Sequence, residues 1–115
     1  VVVRVIRYWH GGPPVVGDVL VPPTVSGYSR SGNDEAFVYV TASRSLAATY
    51  AATCHGWLFE VEPIGPLEQD PDSVLADGES LRCPRARILR RFRLSRAEYD
   101  SMSWIVAVLD RELPR

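Results

Sequence analysis

The sequence predicts an α+β domain built on two small packed β-sheets with a few short helices. Three observations point there. Four segments, Val1–Trp9, Phe37–Thr41, Trp57–Glu62 and Arg85–Leu94, are rich in the β-branched and aromatic residues that suit a pleated, half-buried surface. Only two stretches carry a helix signature, one after Ser43 and one after Ser95. And 115 residues suffice for a single domain, 1–115, burying roughly two thirds of its unfolded surface around one core.

The first strand segment, Val1 to Trp9, runs into His10-Gly11-Gly12-Pro13-Pro14. The glycines there leave unshielded backbone amides and the prolines stop the strand, so His10 is expected at a strand end beside bare backbone. From Val15 to Asp34 the chain is rich in Gly, Pro, Ser and Asn, with Gly17-Asp18 as a turn and Val19-Leu20-Val21 as a short strand. Tyr28, Arg30 and Asn33 in this long connection are candidates for touching a ligand or acceptor.

Phe37-Val38-Tyr39-Val40-Thr41 then hands over, through a Ser-bounded corner, to an Ala-rich helix ending near Cys54. Tyr39 lies on the strand and Tyr50 about two turns into the helix, an arrangement that lets two phenols face one cleft and stack on a planar ring. In Trp57–Glu62 the aromatics and Val61 share one face. Leu67 to Asp72 is a short acidic segment framed by prolines, in which Glu68 and Asp70 share a face if the backbone is extended.

In the Arg-rich strand, Ala86, Ile88, Phe92 and Leu94 are expected on one buried face, with Arg85, Arg87, Arg91 and Arg93 pointing out. Arg90 breaks the alternation, which requires either a bulge near Leu89-Arg90 or an inward Arg90 that meets a carboxylate or a phosphate. Ser95-Arg96-Ala97-Glu98 matches a capping box. Beyond it, residues 104–108 read equally well as a continuing helix or a closing strand.

Composition narrows the function classes. A hydrophobic fraction of 46% with 23% charged residues excludes disordered and fibrous chains, and no apolar run reaches membrane-spanning length. No signal-peptide pattern precedes the first strand, so the expected site of action is cytoplasmic, or that of a secreted effector. The start at Val1-Val2-Val3 fits a domain of a longer parent protein. All thirteen basic residues are Arg, seven of them between Arg82 and Arg96, while Glu68, Asp70, Asp72, Asp77 and Glu79 precede them. Such asymmetry marks either an anion-binding face or an ordinary solvated surface. Cys54 and Cys83 are either paired or two buried thiols, and with His55 and His10 they lack the spacing of a zinc site, so no metal is expected.

Three segments carry a family resemblance. Tyr8-Trp9-His10-Gly11, Val38-Tyr39-Val40-Thr41, and Val61-Glu62-Pro63-Ile64-Gly65-Pro66-Leu67-Glu68-Gln69-Asp70-Pro71 resemble, in order, the signature segments of ADP-ribosyltransferases with a His-Tyr-acidic triad. The third is most similar to that of the small rifamycin-inactivating ADP-ribosyltransferases, and Tyr39 and Tyr50 are spaced like the aromatic pair of the diphtheria-toxin-like branch.

The resemblance implies the split-sheet ADP-ribosyltransferase fold and mono-ADP-ribosyl transfer from NAD. Cleaving the nicotinamide–ribose bond develops positive charge on the ribose, which a site must hold and stabilise. On this reading the catalytic set is His10, Tyr39, Asp70 and Glu68, and the NAD-binding set is His10, Gly11, Gly12, Tyr39, Thr41 and Tyr50. His10 would bond the adenosine ribose, the Gly11 backbone the nicotinamide amide, and the two tyrosines would stack on the nicotinamide ring. Asp70 would bond the reactive ribose, with Glu68 as its rival. The implied acceptor is a small hydroxylated molecule such as a rifamycin. A toxin or effector acting on protein or nucleic acid, with an immunity partner, is the alternative, because residues 73–82 lack the Asn- and Tyr-containing segment of the rifamycin branch. A non-catalytic NAD-binding module is the third reading.

Overall fold

The computed structural model describes residues 6–22, 36–53, 56–71 and 79–102. They form a compact α+β arrangement of two antiparallel sheets and two helices. The strands are β1 (Tyr8–Gly12), β2 (Val19–Leu20), β3 (Val38–Val40), β4 (Trp57–Ile64), β5 (Glu68–Gln69), β6 (Leu81–Cys83) and β7 (Arg85–Arg93). Helix α1 is Arg44–Thr53, and residues 96–102 form α2. The larger sheet has the order β1-β4-β7-β2 and the smaller β3-β6-β5.

Period-two patterning decides how the sheets face each other. Val38, Val40 and Cys83 of the smaller sheet pack with Phe59, Val61, Ala86, Ile88 and Leu20 of the larger one, forming the main core. On the opposite face of the larger sheet, Trp9 and Leu58 meet Ala47 and Ala48 of α1. The sheets are also tied at an edge, where Trp9 and Thr41 exchange backbone hydrogen bonds of 2.8 and 2.9 Å.

Helix α1 begins where the Ser43 hydroxyl accepts from the Leu46 amide at 3.2 Å, satisfying a donor the first turn leaves open. Ser95 caps α2 in the same way through the Glu98 amide at 3.1 Å, while the Glu98 carboxylate turns to Arg44 at 3.8 Å.

Three expectations need correction. The first strand does not stop at the glycines: β1 runs through His10, Gly11 and Gly12, with residues 1–5 outside the described residues. The strand continues because Gly11 and Gly12 pair with Leu58 and Trp57 of β4, and at Gly11 a Cβ would lie 1.9 Å from the Ala47 carbonyl oxygen and 2.6 Å from the Ala51 nitrogen. Glycine is there so that helix and strand can touch. Second, β4 continues to Ile64 with Pro63 inside it. Pairing with β1 ends at Tyr8↔Val61, so the missing proline N–H breaks no bond on that side.

Third, β7 does not keep one buried face. The register slips between Glu60 and Val61, whose partners are Arg90 and Ile88, so Leu89 is the extra residue of a bulge and is half exposed. Ala86 and Ile88 therefore enter the main core while Phe92 and Leu94 pack with Trp9 and Leu58 on the other face. Of the two alternatives raised for Arg90 the bulge is present; Arg90 is not inward but exposed, and from there its guanidinium donates to the Glu60 carboxylate at 2.7 Å. Glu60, only 7% exposed, also accepts from Arg7 at 2.5 Å.

Two predictions follow from the packing. Replacing Gly11 with Ala should cost about 3 kcal/mol or more, since the backbone of α1 cannot yield as a side chain would. Gly17→Ala, at φ 100° with open space around it, should cost only about 1 kcal/mol. Urea denaturation of both variants compares them directly.

The second prediction concerns acid. Arg7, with Arg90 beside it, pulls the Glu60 carboxyl from 4.5 down to about 2. Because its folded-state pKa is depressed, the stabilisation is complete above the unfolded value and fades as pH falls from about 4.5 towards 2. The stability gap between the protein and Glu60→Gln should therefore narrow through that window, as read by chemical denaturation at stepped pH.

Candidate functional site

Antiparallel pairing dictates which way each backbone group of β1 points. Residues two apart direct their N–H and C=O to the same side of a strand. Trp9 uses both groups on Thr41, away from β4. Gly11, two residues on, therefore aims its N–H and C=O at the same open edge of the sheet, where they meet no partner among the described residues. Helix α1 closes one side of this position through Ala47 and Ala51. Tyr50, one turn beyond Ala47 on the flank of that helix face, is 43% exposed.

His10 stands beside this open pair. Its ring lies 6.1 Å from the Phe59 ring, and Nδ1–H donates to the Tyr39 carbonyl at 2.6 Å, leaving Nε2 as the acceptor nitrogen. Nε2 would be 2.7 Å from a Cβ on Gly12, so that glycine makes room for the imidazole. Burial pushes the His10 pKa below its usual value, with the Tyr39 carbonyl opposing, so the ring is neutral near pH 7. Thr41, buried, accepts at its hydroxyl from the Ser43 amide at 3.0 Å and so links the strand end to the start of α1.

The smaller sheet gathers the remaining candidates. In its register Tyr39 faces Arg82, and Arg82 faces Glu68, making a row across β3, β6 and β5. Arg82 Nε donates to Glu68 at 2.5 Å, and Arg82 also hydrogen-bonds the Tyr39 side chain. Its guanidinium lies 4.1 Å from the centre of the Phe37 ring. One step along, the Asp70 amide donates to Ser80 O at 3.0 Å and the Ser80 hydroxyl donates to the Asp70 carboxylate at 3.0 Å. Glu68 and Asp70 thus belong to one ordered ladder rather than a loose acidic turn.

Arg82 is the residue that sequence reasoning missed. It stood at the edge of the Arg run, and the cross-strand register that places it between Tyr39 and Glu68 is non-local. The rest of that run is largely committed to structure. Arg87 pairs with Glu62 at 2.6 Å, and Arg91 bonds the carbonyls of Val15 and Gly17. This is no continuous anion-binding face.

Among the described residues, no group of three or more His, Cys, Asp or Glu side chains is placed to hold a metal, and no helix is long and apolar enough to cross a membrane. Cys83 is a buried free thiol whose burial raises its pKa. Cys54, His55, Tyr28, Arg30, Asn33 and residues 104–108 lie outside the described residues, and Cys83, being free, is not paired with Cys54. No protein-family model matches the chain, and a search of curated proteins finds no similar one.

The buried His10 gives a pH test. A base whose folded-state pKa is lowered costs stability once the unfolded chain begins to take up its proton, below about pH 6.5. The imidazole of His10 should titrate below 6.5 by NMR, and the protein should lose stability relative to His10→Gln as pH falls through that range.

Proposed function

We propose that this chain is a mono-ADP-ribosyltransferase of the split-sheet fold that takes its ADP-ribosyl group from NAD. The observation that most supports the reading is the N–H and C=O pair of Gly11 at a sheet edge, unpaired among the described residues, with His10 next to it in β1. A donor and an acceptor on one residue match a primary carboxamide such as that of nicotinamide. The residues present therefore fit the group.

NAD supplies the electrophilic ribose carbon, from which nicotinamide departs. The Gly11 backbone would hold the carboxamide through one donor and one acceptor, and Tyr50 would stack on the ring. His10, neutral and held by the Tyr39 carbonyl, offers Nε2 as an acceptor to a ribose hydroxyl. Asp70, accepting from a neutral hydroxyl donor, brings negative charge to the reactive ribose. Glu68 is charge-paired with Arg82, which makes it the weaker electrostatic partner and suits it to positioning Tyr39 through Arg82.

A further point bears on the acceptor. Gly56, Trp57, Arg93, Leu94, Arg96 and Tyr99 line an open cleft of about 430 Å³. With two arginines in its wall it fits poorly the deep apolar pocket that a rifamycin-like acceptor calls for, and better the alternative of a macromolecular acceptor.

The test is nicotinamide release from NAD by the purified protein, with and without rifampicin, compared with Asp70→Ala and Glu68→Ala. Release that falls about 100-fold or more in Asp70→Ala, less in Glu68→Ala, and is indifferent to the drug is the expected result. Measurable NAD binding with no release from any sample would overturn transfer in favour of a binding module.

A further inference from the structure

The cleft at the end of β4 and β7 has a chemistry of its own. Arg93 and Trp57 are cross-strand neighbours, and the Arg93 guanidinium lies 5.3 Å from the centre of the indole. Arg93 is exposed and, alone among the cleft's cations, has no carboxylate partner among the described residues. Arg96 meets only Asp100, at 3.3 Å, and that pair is highly exposed at 90% and 60%, where solvent and salt weaken it. Tyr99 and Leu94 complete the wall. Elsewhere on β7 the guanidinium groups of Arg87, Arg90 and Arg91 are occupied by Glu62, Glu60 and the 15–18 turn, and Arg85, the other arginine of the strand without a carboxylate partner among the described residues, stands at its far end.

The cleft lies near the site described above. Trp57 pairs with Gly12, two residues from His10, and its ring is 6.4 Å from Phe59, which is in turn 6.1 Å from His10.

We propose that this cleft binds the base-and-phosphate repeat of a single-stranded nucleic acid as the acceptor for ADP-ribosyl transfer: a base nitrogen bonds the ribose carbon as its bond to nicotinamide breaks, nicotinamide leaves, and the nitrogen's proton passes to solvent. Tyr99 and the part of the Trp57 ring not packed against the main core give flat surfaces on which an unpaired base stacks, and Arg93 and Arg96 neutralise the flanking phosphates. A duplex fits less well, because its bases are already stacked on one another and offer no free ring face to Trp57 and Tyr99. An acidic peptide would use the arginines and leave the aromatic walls without a matching surface. The inference rests on the transfer reading only for what happens to the strand once bound.

Binding is measured by fluorescence anisotropy of a labelled single-stranded DNA dodecamer, without NAD, so failure here and failure of nicotinamide release are separate outcomes. The expected result is binding that weakens about fivefold in Arg93→Gln and in Arg96→Gln, each variant also lowering the salt dependence by about 0.7 in log–log slope. Arg85→Gln, an exposed control on the same strand away from the cleft, should bind like the unaltered protein. The proposal is overturned by any of four results: no binding at millimolar protein, equal loss in Arg85→Gln, equal affinity for the duplex, or displacement of the strand by a poly-glutamate peptide at equal charge.

Discussion

The approach of α1 to β1 at Gly11 is the constraint on which the rest of the arrangement depends. Ala47, Ala48, Ala51 and Ala52 are all buried, giving the helix a smooth face without long side chains. Set against a glycine, that face brings two backbones into contact. The price is a position where no other residue fits. The consequence is a helix held against the strand where, beyond the Trp9–Thr41 bridge, the donor and acceptor of Gly11 have no partner among the described residues. The Trp9–Thr41 bridge fixes the same region from the other sheet. His10, whose Nδ1 reaches the Tyr39 carbonyl, makes the third tie. A sheet edge, a helix face and a second sheet thus converge within one turn of chain.

Charge is distributed by the same geometry. The bulge at Leu89 lets Arg90 reach Glu60 and sends the two ends of β7 into different cores. Glu60, nearly buried, is tolerated because Arg7 and Arg90 both satisfy it; removing either partner leaves a charge poorly solvated. A run of arginines that reads as one basic patch is in fact a set of separate duties, with Arg93 and Arg96 lining the cleft beside Trp57.

Much of this was legible in the chain. Ser43 and Ser95 announced both helix starts, since a hydroxyl at that position satisfies an amide the first turn cannot. The broken alternation at Arg90 announced the bulge. The alternation of Trp57, Phe59 and Val61 gave the core face of β4, and an α+β fold on two sheets followed from the strand count. What stayed hidden was non-local. Strand β6 lies in a stretch without a strong strand pattern, and it forms because β3 and β5 offer it two edges. Arg82 could be placed between Tyr39 and Glu68 only once that register was known. Gly11 was read as bare backbone for a ligand, yet its missing side chain serves the helix, and its ligand-facing groups are set by the direction of the ladder.

The most direct test of the account is a titration of ¹⁵N-labelled protein with nicotinamide. If the open pair at the β1 edge is the carboxamide site, the Gly11 amide resonance should move the most, with Tyr50 and His10 following and the Arg93–Tyr99 cleft unaffected. A Gly11 amide that stays fixed while nicotinamide perturbs other residues would contradict the account at its centre.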